Sequence, residues 1–231
     1  MAKGIAWLKP SKIKLAFLVE WGLFIVIEVT RGKVHSGHAL LVAAYPLLFF
    51  YLVACILVAL SQRAWKIAHG WRLPALAIGL AMLDQALKTV IATVMPENAS
   101  IPIVEGWLHI AHARNYNGTW IAATFTLSSG PFIQSIQWAM TIAVLALSVV
   151  YHHYYSTHQH QSFWADVAFL GVFAAYTSWM WDMAFRGYII DFIQLPGLVT
   201  ADLKDILASL CTAAIIAELL DRHRCADCLS D

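Results

Sequence analysis

The sequence predicts an all-α polytopic membrane protein: six transmembrane helices, with a small extracytoplasmic β-sheet lying on the membrane surface. Three observations predict it. Of 231 residues, 60% are hydrophobic and only 13% are charged, against roughly 25% charged in soluble domains. Six apolar spans follow one another, at about 13–29, 39–60, 73–95, 132–151, 163–185 and 203–220, most near the ~20 residues a spanning helix needs. The longest polar stretch, 96–131, alternates like a strand in part. Net charge is +1, which argues for no nucleic-acid partner and leaves membrane lipid as the expected surroundings. Ten Trp and eight Tyr suit a chain with two membrane interfaces, where amphipathic rings settle.

The first span is short and carries Glu20 and Glu28. Lys3, Lys9, Lys12 and Lys14 precede it in the manner of a signal peptide, but acids interrupt its core and no small-residue cleavage site follows, so it reads as a retained helix. With the second span it makes residues 1–72 an N-terminal two-helix extension. A four-helix core follows over 73–220, and 221–231 form a cytoplasmic tail. The core's β element is expected at about 100–130. There "GWLHIAHAR" alternates, "NYNG" marks a turn, and "TWIAATFTL" is β-branched and aromatic like a second strand. "HHYYSTHQHQ", at 152–161, reads as a solvated loop. Residues 186–202 read as a loop between a helix ending near Gly187–Asp191 and one starting near Thr200–Asp202.

Loop cations set the orientation. With the N-terminus cytoplasmic, the inside segments hold Lys3, Lys9, Lys12, Lys14, Arg63, Lys66, Arg72, Arg222 and Arg224. The outside holds Arg31, Lys33, Arg114, Arg186 and Lys204. Both termini are therefore expected inside, with 96–131 and 186–202 together outside. Cys55 and Cys211 lie in helices as apolar fillers. Cys225 and Cys228 with His223 offer half of a zinc site, and no metal or cofactor is expected.

Acids within apolar spans are costly and often mark function. Asp84 and Lys88 are spaced i,i+4 on one helix face, as are Asp182 and Arg186. Either pair could simply tie helices together. Asp191, in "YIIDFI", sits among apolar residues at a membrane lip. Asp202 stands where an acid caps a helix. Two carboxylates brought together cannot both ionise easily, so they share a proton and can activate a water. That is aspartic-protease chemistry.

The chain resembles the bacterial lipoprotein signal peptidase (signal peptidase II) family over residues ~73–220. The resemblance rests on Asp84-Gln85-Ala86-Leu87-Lys88, "SIPIVEG" at 100–106, "RNYNGTW" at 114–120, "WMWDMAFRGYIIDFI" around Asp182, Gly187, Asp191 and Phe192, and "LVTAD" ending on Asp202. It implies that Asp191 and Asp202 are the catalytic pair. It implies positioning or substrate-binding roles for Asp84, Lys88, Arg114, Asn115 or Asn117, Asp182 and Gly187. The implied activity is cleavage of a lipid-modified prolipoprotein, or another membrane-embedded peptide, before a diacylglyceryl-cysteine. The implied place is the bacterial inner membrane, with the active site facing outward. Trp179, Met183 and Val199 replace the family's Asn, Arg and Asn. They keep open a non-catalytic lipoprotein- or lipid-binding paralogue on the same fold.

Overall fold

A computed structural model of the chain describes residues 6–64, 66–68, 70–118, 130–157 and 162–227. Among them are six long helices: α1 (Lys12–Thr30), α2 (Gly37–Ser61), α3 (Arg72–Val94), α4 (Pro131–Thr157), α5 (Phe163–Phe185) and α6 (Leu203–Asp227). Ser11, Ser36 and Ser162 cap α1, α2 and α5 by accepting a backbone N–H from three residues on.

The helices coincide with the apolar spans, but the count of six membrane crossings is corrected. Among the described residues, only α2, α3 and residues 131–155 of α4 are long and apolar enough to cross a membrane. Charge density is the reason. α1 carries Lys12, Lys14, Glu20 and Glu28; α6 carries Lys204, Asp205, Glu218, Asp221 and Arg222; α5 carries Asp166 and Asp182 among Trp, Tyr, Thr and Ser. The protein is a multi-pass membrane protein, and among its helices α5 has the most deeply buried side chains. α5 is the central one. Its Phe169, Ala174 and Ala175 pack on Leu73 and Ala77 of α3, and its Trp164 and Ala168 pack on Ala214 and Ala217 of α6. At Gly171 a Cβ would meet Leu207 O of α6 at 2.5 Å, so only glycine allows these two helices their approach. By contrast, Leu41, Leu48, Met82, Ile142 and Leu147, on α2, α3 and α4, lie exposed, as lipid-facing side chains would.

The small β-sheet expected beside the helices is present among the described residues. Four strands form one open antiparallel sheet, in the order β1 (Ser100–Val104), β2 (Leu108–Asn115), β3 (Ile189–Leu195) and β4 (Val199–Ala201). The strand expected at "TWIAATFTL" lies outside the described residues, as do the end of the His-rich segment and Cys228; the side chains of His223 and Cys225 are likewise not described. Half of the sheet comes instead from 189–201, which reads as a loop in the sequence. Its alternating apolar run turns at Pro196–Gly197, where Leu198 N reaches Leu195 O at 3.0 Å and Gly197 has φ +73°. Proline followed by a left-handed glycine is the signature of a type II turn. Helices α1 and α2 lean on this hairpin and on α6: Val42 and Ala43 pack on Leu195 and Leu198, and Ser209 of α6 donates to Glu20 of α1 at 3.0 Å.

Candidate active site

Two backbone turns carry the acids to one place. α5 stops where the N–H groups of Arg186 and Gly187 both reach Asp182 O. Gly187, at φ +73°, takes the left-handed turn that side chains disfavour. It has a backbone duty, feeding the chain into β3. In β3, Asp191 stands opposite Ala113 of β2 and is only 2% exposed. The hairpin then returns the chain to Asp202, the N-cap of α6. Asp202 Oδ1 accepts from Asp205 N, and Asp205 Oδ2 accepts from Asp202 N, both at 3.1 Å. This reciprocal capping box means that Asp202 does cap a helix. Its second oxygen faces inward and leaves it free for more.

Two carboxylate clusters result, and Asp202 belongs to both. Oxygens of Asp84, Asp182 and Asp202 lie within 4.8 Å of one another, as do those of Asp191, Asp202 and Asp205. Lys88 is the hub of the first. Its Nζ is 2.6 Å from Asp84, 2.5 Å from Asp182 and 2.5 Å from Asp202, and all four side chains are fully buried. Ser178 donates to Asp84, and Gln85 Nε2 donates to Asp182 Oδ1 at 3.1 Å. Arg186 closes the ring: Nη1 is 2.6 Å from Asp182 Oδ1 and Nη2 is 3.1 Å from Thr89 Oγ1. Both i,i+4 pairs therefore form, and they form inside one network.

The second cluster sits at the sheet edge. Asn115 Nδ2 donates to Asp191 Oδ2 at 3.1 Å. Asn115 Oδ1 accepts from the backbone of Asn117 and Gly118 at 3.0 and 3.3 Å, which fixes the amide's orientation. Of the two candidate asparagines, Asn115 is the one bonded to Asp191; Asn117 enters through its backbone. Arg114 lies apart from the acids, 3.2 Å from Glu97 and 4.6 Å over the Tyr188 ring. Lys204 Nζ is 3.0 Å from both oxygens of Asp202 and 2.9 Å from Asp205. A lysine ammonium thus already stands against each acid cluster, where a metal would otherwise balance the charge.

Asp191 and Asp202 are driven apart in acidity. Burial pushes the Asp191 carboxyl up to about 7, with neighbouring Asp202 and Asp205 adding to the rise and Lys204 and Asn115 opposing it. Burial also acts to raise Asp202, but Lys204 and Lys88 outweigh it and hold Asp202 below the ordinary carboxylate range. Asp202 is thus the readier of the two to ionise and Asp191 the readier to hold a proton, a difference of the kind acid–base catalysis uses. Asp191 Oδ1 has no hydrogen-bond partner among the described residues.

The positions that depart from the family pattern each find an account nearby. Trp179 is buried, edge-on to Trp138 of α4 at 5.3 Å. Arg186 supplies a guanidinium to Asp182, which Met183 cannot. Val199 packs on the cluster that α2 forms with the hairpin, so an apolar side chain suits a site covered by the extension. Lys204 and Arg186 were the residues sequence reading gave no role in the site. Their charge, in the first turn of α6 and at the C-cap of α5, is the signal the sequence offers. A cavity of about 360 Å³ between α4, α5 and α6 is lined by Leu147, Tyr151, Val172, Glu218 and Arg222. Arg222 is some twenty residues along α6 from Asp202, roughly 30 Å away, so this cavity does not serve the aspartates.

Residues 76–221 match the family described as Signal peptidase (SPase) II. A lipoprotein signal peptidase of Fusobacterium nucleatum subsp. nucleatum is 20% identical over 119 residues, 52% of this chain and 67% of that protein. Two solved structures of a bacterial membrane enzyme, obtained by the in meso method at 2.3 and 1.9 Å resolution, superpose with TM-scores of 0.56 at 23% identity. They cover 68% of this chain and 93% and 97% of theirs. The likeness lies in the fold; α1 and α2 precede the family match.

Proposed function

Because this chain belongs to the Signal peptidase (SPase) II family, we propose that it is a membrane aspartic endopeptidase that removes the signal peptide of a lipid-modified prolipoprotein, cutting just before the diacylglyceryl-cysteine. The observation that carries this reading is the meeting of Asp191 and Asp202, with oxygens within 4.8 Å and acidities shifted in opposite directions. One aspartate takes a proton from water as the water attacks the scissile carbonyl, and the pair returns a proton to the leaving nitrogen. No covalent acyl-enzyme forms. Lys88, with Asp84 and Asp182, holds Asp202 in place; Asn115 holds Asp191. The apolar flanks of α2, α3 and α4 give the lipidated substrate a route through the bilayer. The distribution of Lys and Arg supports an outward-facing site in a bacterial inner membrane, with both termini cytoplasmic; cysteine labelling at Asn98 from outside intact cells tests the orientation.

A second reading, a non-catalytic lipoprotein-binding protein, draws on the near-complete burial of both aspartates. One experiment separates the two. Purified protein in detergent is given a lipidated prolipoprotein, and cleavage is followed for wild type, Asp191→Asn and Asp202→Asn. Each substitution is expected to lower the rate by ~10²–10⁴, with the double variant little worse than either alone. Equal cleavage by all three rejects the dyad. Tight binding by wild type without cleavage establishes the binding protein.

A further inference from the structure

We propose that Lys204 decides which aspartate of the pair carries the proton, its ammonium keeping Asp202 ionised so that Asp191 is the protonated partner. As a statement about proteolysis, it rests on the reading above.

The geometry is unusual for a lysine in this position. Lys204 lies in the first turn of α6, where the helix dipole disfavours a positive charge. Its neighbour Asp205 is half exposed, so solvent is within reach of a long flexible side chain. Yet Lys204 is 5% exposed, with Nζ 3.0 Å from each Asp202 oxygen. Burying an ammonium is costly unless it is paired, and here it is paired with both oxygens of Asp202 and, at 2.9 Å, with Asp205 of the same capping box.

The surrounding charges leave Asp202 in need of it. From α3, Lys88 is divided among Asp84, Asp182 and Asp202. From α5, Arg186 is committed to Asp182. From α6 itself, Asp205 adds negative charge beside Asp202. From β3 comes Asp191, whose hydrogen-bond donor is the neutral Asn115 of β2. Asp202 thus touches two ammonium groups and Asp191 touches an amide. Lys204 is a positioning residue for the proton: it touches Asp202 rather than the reacting bond.

With the proton so placed, the steps balance. Water gives a proton to Asp202 as its oxygen bonds to the scissile carbon, and Asp191 gives its proton to the carbonyl oxygen. In the second step Asp202 returns its proton to the nitrogen, the C–N bond breaks, and a hydroxyl of the intermediate reprotonates Asp191. The pair ends as it began.

The test is the pH dependence of kcat/KM for wild type, Lys204→Met, Lys204→Gln and Lys204→Arg, together with infrared titration of the carboxyl bands in detergent. The Asp202 band is identified by its loss in Asp202→Asn. An opposite charge this close lowers an aspartate by ~1–3 pH units. Lys204→Met and Lys204→Gln are therefore expected to move the acid limb of the rate profile, and the Asp202 midpoint, up by about that much. The alkaline limb moves less, and Lys204→Arg restores the wild-type profile. A lower rate with unmoved limbs, in whichever neutral variant folds, would overturn the proposal. If wild type cleaves nothing, the proteolytic reading fails, but the infrared midpoint still decides: a rise on neutralising Lys204 upholds the charge assignment, and an unmoved midpoint removes it.

Discussion

The two acid clusters share Asp202 yet are built on opposite terms. Around Lys88, three helices contribute side chains that are fully buried, with Ser178, Gln85 and Arg186 bonded around the edge. Around Asp191, the supports are a strand, a neighbouring strand's amide and a helix cap, and one carboxylate oxygen goes without a partner among the described residues. The difference teaches how a low-dielectric interior uses charge. The Lys88 cluster, held by a shared ammonium although Asp84 Oδ1 also lacks a hydrogen-bond partner among the described residues, anchors helices; the cluster at Asp191, whose own side-chain donor is a neutral amide, keeps a reactive carboxyl. Asp202 carries the rigidity of the first into the second.

The sharpest way to break this contrast is Lys88→Met. It leaves Asp84, Asp182 and Asp202 buried without their shared cation, and unmatched buried charge costs ~3–5 kcal/mol. Equilibrium unfolding in detergent should show a loss of that order, whereas Asp191→Asn should leave stability within about 1 kcal/mol while removing activity. The second effect is on pH. Asp191 is raised to about 7, so the protonated form is depleted as pH rises through that value. The cleavage rate of wild type should then fall, approaching tenfold per pH unit on the alkaline side; a rate flat to pH 9 would detach Asp191 from the proton transfer. The smallest effect expected is from Asn115→Ala, which removes one hydrogen bond of ~0.5–1.5 kcal/mol. It should slow cleavage by about tenfold or less and leave unfolding unchanged, since it touches only the reactive cluster.

What the sequence disclosed was whatever is local. The helix spans, the i,i+4 pairs at Asp84–Lys88 and Asp182–Arg186, and an apolar stretch bearing Asp191 are all visible in short windows. What misled was also local. Length and apolar content suggest six spans, while the charged and polar residues on α1, α5 and α6 keep those helices out of the three that are apolar enough to cross. The hairpin was legible in principle: "YIIDFIQLPGLVT" holds a β-branched run and a Pro-Gly turn, but its acids drew the reading toward a loop. The tertiary details were out of reach. No window shows that Lys204 turns inward, that Val199 meets α2, or that Asn115 rather than Asn117 bonds Asp191, because each depends on a partner dozens of residues away.

The Lys88 hub also bears on time. Its three acids arrive on α3, α5 and α6, in that order of synthesis, and the last of them is Asp202 itself. A nascent chain that has threaded α3 and α5 holds a lysine matched to Asp84 and Asp182 while the proposed aspartate pair does not yet exist. Only when the final helix docks does its N-terminal aspartate meet both the hub and Asp191. If the pair cleaves as proposed, readiness to cut is tied to complete assembly, and a half-inserted chain has nothing with which to cleave the signal helices around it.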